Sequence, residues 1–330
     1  MNSRNRGSFV PATCMIVLLL AAAPRLPGSG AEEAGRGKLW LEFSGGLQVL
    51  DPADLNLAVD ADNRVQYLRY DHYLEYLRSN GQIRLWGGTA SGERRRVGAG
   101  WALEPRLRYQ LGRSLALSAG LRVMRGGRGR ELHFEFIRDL GDRDQYVENL
   151  VFSPYSLEVQ SCWPSLGIHV RRRLGRRFLA EGYAAAGPLF ASASYRSAWT
   201  YAWEMRGSDY NWPVFRDAGE RAENGSGTGI GLELGARIGR DLGSRLTIFL
   251  EGGYDWQRVN SISGSGKEIR AGLEETWSGK WVTRAETLAA PWEILAIRFP
   301  TSRPQAGADD RPFRLDLSGW RLRAGISWKL

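Results

Sequence analysis

Apolar and polar residues alternate along much of this 330-residue chain with a period of two. The sorting is sharpest at the C-terminus, where Trp320, Leu322, Ala324, Ile326, Trp328 and Leu330 share one parity and Arg321, Arg323, Gly325, Ser327 and Lys329 take the other. A helix would scatter those arginines around its axis. A strand separates the two classes, because successive side chains point to opposite faces. Leu39, Leu41, Phe43, Leu47 and Val49 oppose Trp40, Glu42, Ser44 and Gln48 in the same way. Ile230, Leu232, Leu234, Ala236 and Ile238 oppose Gly231, Glu233, Gly235 and Arg237, and Leu246, Ile248, Leu250, Gly252 and Tyr254 oppose Phe249, Glu251 and Asp255.

Three of the alternating pairs are joined by nearly the same short link: Leu111-Gly112-Arg113-Ser114, Leu174-Gly175-Arg176-Arg177 and Leu242-Gly243-Ser244-Arg245. Glycine supplies the positive φ that tight hairpins need, so these read as three short turns on one rim. The segments predict eight strands, at about 38–49, 97–110, 114–125, 151–173, 178–199, 227–241, 245–259 and 315–330. Long polar connections separate them at 50–96, 126–150, 200–226 and 260–314. The last is long enough to hide a further hairpin, around 276–284 and 293–299, which would make ten strands. Within the fourth strand Leu157 and Val159 share one phase and Leu166, Ile168 and Val170 the other, with Trp163-Pro164 at the change. Proline cannot donate to a ladder, so a bulge is expected there.

The first thirty residues differ from the rest. Arg4 and Arg6 precede an apolar run from Met15 to Ala23, followed by Pro24 and the small residues Gly28 to Ala31. This is the pattern of a secretory signal peptide, too short to span a bilayer, so residues 1–30 are expected to be removed and 31–330 to form the mature domain. Cys14 precedes the apolar run, which argues against lipidation at a cleavage site. Cys162 is then the sole remaining cysteine, excluding an intrachain disulfide and a cysteine-rich zinc site. The net charge of +9 falls to +6 once Arg4, Arg6 and Arg25 are subtracted, a mild excess with no block suited to nucleic acid.

Eight alternating segments, a signal peptide and the terminal strand Trp320 to Leu330 together resemble the small outer-membrane barrels of the OmpA, OmpX and OmpW kind. The resemblance spans the mature chain as a pattern. It implies an all-β, closed antiparallel transmembrane barrel in the outer membrane, with short periplasmic turns and long extracellular loops. It also implies contact with outer-membrane lipid and lipopolysaccharide, and delivery by the barrel-assembly machinery. That machinery is thought to read a terminal aromatic; here the last residue is Leu330, with Trp328 two positions earlier on the same face. Tyr109, Phe178 and Trp328 near the short turns, and Trp256 and Trp320 near the long loops, suit interfacial girdles.

With apolar parity facing lipid, the lumen receives Glu42, Glu104, Glu158, Glu181, Glu233, Glu251 and Asp255 together with Arg106, Arg108, Arg122, Arg237, Arg321 and Arg323. An eight-stranded barrel is only just wide enough for its side chains, so this set is expected to interlock as a plug. A narrow ion or small-solute path is the alternative. The long connections carry the other candidates. Tyr67, Tyr70, Leu74 and Leu77 recur at helical spacing within 63–79. Trp199, Tyr201, Trp203, Tyr210 and Trp212, with Arg196 and Arg206 beside them, offer a surface for an extracellular ligand such as a glycan or lipopolysaccharide.

Catalysis finds thinner support. Asp60-x-Asp62 and Glu131-x-His133 only partly resemble the paired acidic motifs of omptin proteases. Lipid A deacylases and palmitoyltransferases rely on a histidine with a nearby serine or acid, and His72, His133 and His169 have no evident nucleophile beside them in sequence. The expectation is a non-catalytic barrel without cofactor or metal, serving envelope integrity or surface interaction. A barrel enzyme acting on lipid A or peptides is the alternative.

Overall fold

The computed structural model describes residues 38–52, 54–56, 84–91, 97–112, 114–141, 144–175, 177–206, 211–270, 272–280, 282–283, 285–287, 295–297 and 311–330. The expected signal segment, the 63–79 helix, His72 and both Asp60 and Asp62 lie outside them. The strands are β1 (Lys38–Val49), β2 (Arg84–Ser91), β3 (Ala99–Gln110), β4 (Leu115–Gly141), β5 (Asp144–Leu174), β6 (Phe178–Arg206), β7 (Asn211–Asp241) and β8 (Leu246–Val259). They continue with β9 (Ser263–Arg270), β10 (Leu273–Lys280), β11 (Val282–Thr283), β12 (Ala285–Thr287), β13 (Leu295–Ile297), β14 (Arg311–Pro312), β15 (Leu315–Asp316) and β16 (Gly319–Lys329). Among the described residues no helix is long and apolar enough to cross a membrane.

Eight strands close into an antiparallel barrel in the order β1, β3, β4, β5, β6, β7, β8, β16. Closure is direct: β1 pairs with β3 along one edge and with β16 along the other, from Trp40 opposite Lys329 to Gln48 opposite Arg321. The three sequence-identified turns lie on one rim, here called lower, where β1 begins and β16 ends. Gly175 has φ 86°, the left-handed conformation that its turn requires. The Leu111 and Leu242 amides close the other two turns onto the carbonyls of Leu115 and Leu246.

The upper half shows what the long polar connections become. The stretches 126–141, 144–150, 200–206 and 211–226 continue β4, β5, β6 and β7 as paired strands, so these four are 27 to 31 residues long. Beyond the closed ring they form a sheet flanked by β2, which pairs with the far end of β4, and by the β9–β10 hairpin, which pairs with β7 from Gly219 to Ser226. The additional hairpin is therefore at 263–280 and outside the ring. At the expected 276–284 and 293–299, the first five residues belong to β10 and a three-residue pairing joins β12 to β13.

The bulge expected at Trp163-Pro164 is absent. Arg122 opposes Trp163 and Leu121 opposes Pro164 in unbroken register, and the β5 irregularity falls instead between Phe152 and Tyr155. Odd-numbered residues of β5 point inward on both sides of the proline: Leu157, Val159 and Trp163 above, His169 below. What changes at Pro164 is the surroundings. Below it the wall is apolar outside and polar inside; above it the two sides are exchanged.

Candidate functional site

The exchange is visible across the wall. Below the change, the outward row Ile168, Ala184, Leu234, Tyr254 and Trp320 runs strand to strand through paired positions. Above it, the outward row Arg125, Gln160, Ser192 and Ser226 does the same. The lower rows form a belt of exposed apolar residues, among them Leu166 at 71%, Ile230 at 70% and Leu47 at 66% exposure. Trp101, Trp256 and Trp320 edge the belt above, with Tyr254 packed against Trp256 and Trp320 at ring-centroid distances of 4.8 and 5.3 Å. Phe178 and Trp328 edge it below.

Inside the belt, every wall strand except β5 contributes acidic or arginine side chains. Glu42, Glu104, Glu181, Glu233, Glu251 and Asp255 meet Arg106, Arg108, Arg122, Arg237, Arg321 and Arg323, all twelve buried. Arg122 donates to Glu104 at 2.8 Å, to Asp255 at 2.7 Å and to Glu233. Arg321 bonds Asp255, Glu233 and the Tyr183 hydroxyl, and Arg323 bonds Glu104 and, at 3.1 Å, Glu233. Glu251 lies 2.7 Å from Arg323 and 3.3 Å from Arg237, held by charge without aligned hydrogen bonds. Lower down, Arg237 clamps Glu42 with two bonds of 2.9 Å, and Arg108 lies 3.0 Å from Glu42 and 2.5 Å from Glu181. Each carboxylate has at least two guanidinium neighbours, so the desolvated charges are compensated locally.

Glu158 is the exception among the residues assigned to the lumen. It lies on the outward parity of β5, above the change of surroundings, where it pairs with the exposed Arg125 at 2.6 Å. Sorting polar residues to the inside misplaces it, because outside the belt the polar face is the outer one.

Above the charged layers the interior centres on an apolar cluster, with Gln48, Gln257 and Glu223 buried around it. Arg122 stacks under Trp163, 4.6 Å from its ring centroid, and Met124, Leu157, Val159 and Leu189 continue upward. The connection after β1 adds Leu50, Leu55 and Val97, and the segment before β16 adds Phe313, Leu315 and Leu317. These inserted segments are hydrogen-bonded to each other and to the wall. Asn56 exchanges bonds with Val97, Asp54 accepts from the Arg314 amide at 2.8 Å, and Gln48 donates to the Leu317 carbonyl at 2.9 Å. The result is an apolar stopper over a charged plug.

His169 has partners that sequence spacing hid. Its Nδ1 lies 2.6 Å from Glu181 and its Nε2 2.7 Å from the Ser118 hydroxyl, 51 residues away and brought close by the β4–β5 register. With neutral imidazole, Nδ1–H donates to Glu181 and Ser118 donates to Nε2, an order that matches nucleophile, base and orienting acid. A substrate carbonyl has no room beside this serine: Ser118 is 8% exposed, His169 1%, and Arg108 already occupies the same carboxylate. The arrangement serves as part of the lumen network. His133 lies on β4, opposite Val151.

The aromatic set falls on the upper strands. Trp199, Tyr201 and Trp203 share one parity of β6, Trp212 lies on β7 opposite Met205, and Tyr210 is outside the described residues. Trp199 lies against Gly219 of β7, so it is engaged within the sheet. Arg196 is exposed on the outward face. Among the described residues no group of histidine, cysteine and acidic side chains has the arrangement of a metal site.

No family model matches the sequence, and no curated protein matches it. Among solved structures, a major outer membrane protein from Thermus thermophilus is similar over 89% of this chain and 100% of its own, at 14% identity and a TM-score of 0.36. The outer membrane protein OprG from Pseudomonas aeruginosa is similar over 91% of this chain and 99% of its own, at 11% identity and a TM-score of 0.32.

Proposed function

We propose that the chain is a non-conducting outer-membrane barrel that anchors a β-sheet platform above the bilayer for surface contacts. The observation that carries this reading is the exchange of polarity along β4 to β7. A continuous apolar belt of this extent is costly in water and favourable in hydrocarbon, whereas the polar rows above it suit an aqueous exterior. The same strands thus serve as membrane wall below and as platform above.

A filled interior favours anchoring over transport. Ions would have to cross six arginines locked to six carboxylates and then the stopper around Phe313. An N-terminal export signal, insertion by the barrel-assembly machinery and contact with lipopolysaccharide fit this reading. The platform carries Trp199, Tyr201 and Trp203 on one parity of β6, Trp212 on β7 and Arg196 on the opposite, outward face of β6. The outward arginine suits contact with anionic glycan or lipid headgroups. The test joins two measurements on the purified protein. Vesicle flotation should carry it to the lipid layer, and planar bilayers should show no channel steps. Stable solubility without detergent would refute the membrane assignment, and stepwise conductance would refute the sealed interior.

A further inference from the structure

The lipid-facing wall is not uniformly convex. Along β6 its outward row is Ala180, Gly182, Ala184, Ala186 and Pro188, and at Ala184 and Ala186 the paired positions on both sides carry bulk. Ile168 and Leu166 stand opposite Ala184 and Ala186 on β5, with Leu234 and Leu232 opposite them on β7. Small side chains between two branched ridges leave a groove with a volume of about 570 Å³. It is lined on β6 by Ala184 to Ala186 and reaches Leu117 on one side and Trp256 on the other. Ala180 lies four strand steps, roughly 13 Å, below Ala184 along the same outward row. Below the groove, toward the short turns, the wall is basic. Arg172 stands opposite Ala180, and Arg240 stands opposite Phe178 with its guanidinium 5.8 Å from that ring centroid. Both arginines are exposed, and among the described residues neither has a carboxylate partner. The nearest turn acid, Asp241, is taken by Thr247 at 2.7 Å and approached by Arg173 at 3.7 Å.

We propose that this groove holds one anionic glycerophospholipid of the periplasmic leaflet, an acyl chain along β6 and its phosphate between Arg172 and Arg240. The inference rests on the membrane reading above, which places the groove in hydrocarbon and its arginines at the headgroup level. Charge selects the occupant. A neutral ridge from a second barrel would fill the groove and leave two cations unanswered, whereas an anionic lipid satisfies both features at once. Two cations near a lipid surface favour an anionic headgroup by about five-fold each.

Flotation with phosphatidylcholine vesicles comes first, followed by native mass spectrometry of the full chain in detergent with phosphatidylglycerol, phosphatidylcholine or lipid A added. The expected result is one retained phosphatidylglycerol per barrel, preferred over phosphatidylcholine. Arg172→Gln with Arg240→Gln should remove that preference at roughly five-fold per arginine. Ala184→Phe, on the outer face and away from the plug, should abolish retention. Equal retention of both phospholipids, a preference unchanged in the arginine variant, tighter retention of lipid A, or a lipid-free dimer dispersed by Ala184→Phe would each overturn the proposal. If the chain floats and shows no headgroup preference, the lipid site alone fails; if it does not float, the membrane reading fails with it. Should Ala184→Phe not fold, the rim arginines still decide the matter.

Discussion

Arg122 and Trp163 oppose each other on β4 and β5, and their contact marks the level at which the barrel interior turns from charged to apolar. Below the indole, the guanidinium serves Glu104, Asp255 and Glu233 together. Replacing it leaves three buried carboxylates short of a partner. Arg122→Met should therefore cost about 3–5 kcal/mol in urea-driven unfolding from lipid vesicles, and adding Asp255→Asn should recover part of that loss.

The two acids Glu104 and Glu158 make a matched comparison, since both pair with arginine and only their surroundings differ. Glu104→Gln, inside the plug, should destabilise by about 3 kcal/mol or more. Glu158→Gln, on the aqueous face with the half-exposed Arg125, should cost under about 1 kcal/mol. Equal effects in the same unfolding assay would mean that the outward placement of Glu158 is wrong.

Gly231 lies directly under the Trp163 indole, which a Cβ at that position would strike, whereas Gly182 on the outer wall has open space. Gly231→Ala should therefore destabilise by about 1–3 kcal/mol through overpacking. Gly182→Ala should be close to neutral. Thermal unfolding monitored by the slowed gel migration of unfolded barrel would separate the two.

The Ser118, His169 and Glu181 order invites a chemical check. A serine-reactive fluorophosphonate should leave the folded chain unmodified, because Ser118 is enclosed by the wall and the plug. Labelling that is lost in Ser118→Ala and in His169→Ala would instead reveal an activated nucleophile and restore the enzyme alternative.

Much of the ring was legible in the sequence because, in β1, β8 and β16, one face meets hydrocarbon and the other meets charge. There, parity and polarity carry the same information, and Arg321 and Arg323 sort cleanly from Leu322 and Trp328. The short turns were legible from their shared Leu-Gly pattern, although the positive φ expected of all three holds only at Gly175, while Gly112 and Gly243 have ordinary φ and open space for a Cβ. In β4 to β7 the code inverts at Pro164, so Leu157 and Val159 inside and Leu166 and Ile168 outside look like a slip of register when the strand is straight through. Glu158 was misassigned by the same logic. The partnership of Ser118 with His169 depends on how β4 aligns with β5, and nothing near either residue encodes it. The stopper was equally hidden, because Leu55 and Phe313 are isolated apolar residues in polar connections until the barrel brings them together.

Spin labels along the outer face of β7 read the polarity exchange directly. In a Cys162→Ser background, labels at Leu232→Cys and Ile238→Cys should relax with oxygen and be shielded from a water-soluble nickel chelate, while labels at Asn224→Cys and Ser226→Cys should show the reverse. Uniform access of the chelate to all four positions in vesicle-bound protein would contradict a wall that passes from hydrocarbon into water partway along its strands.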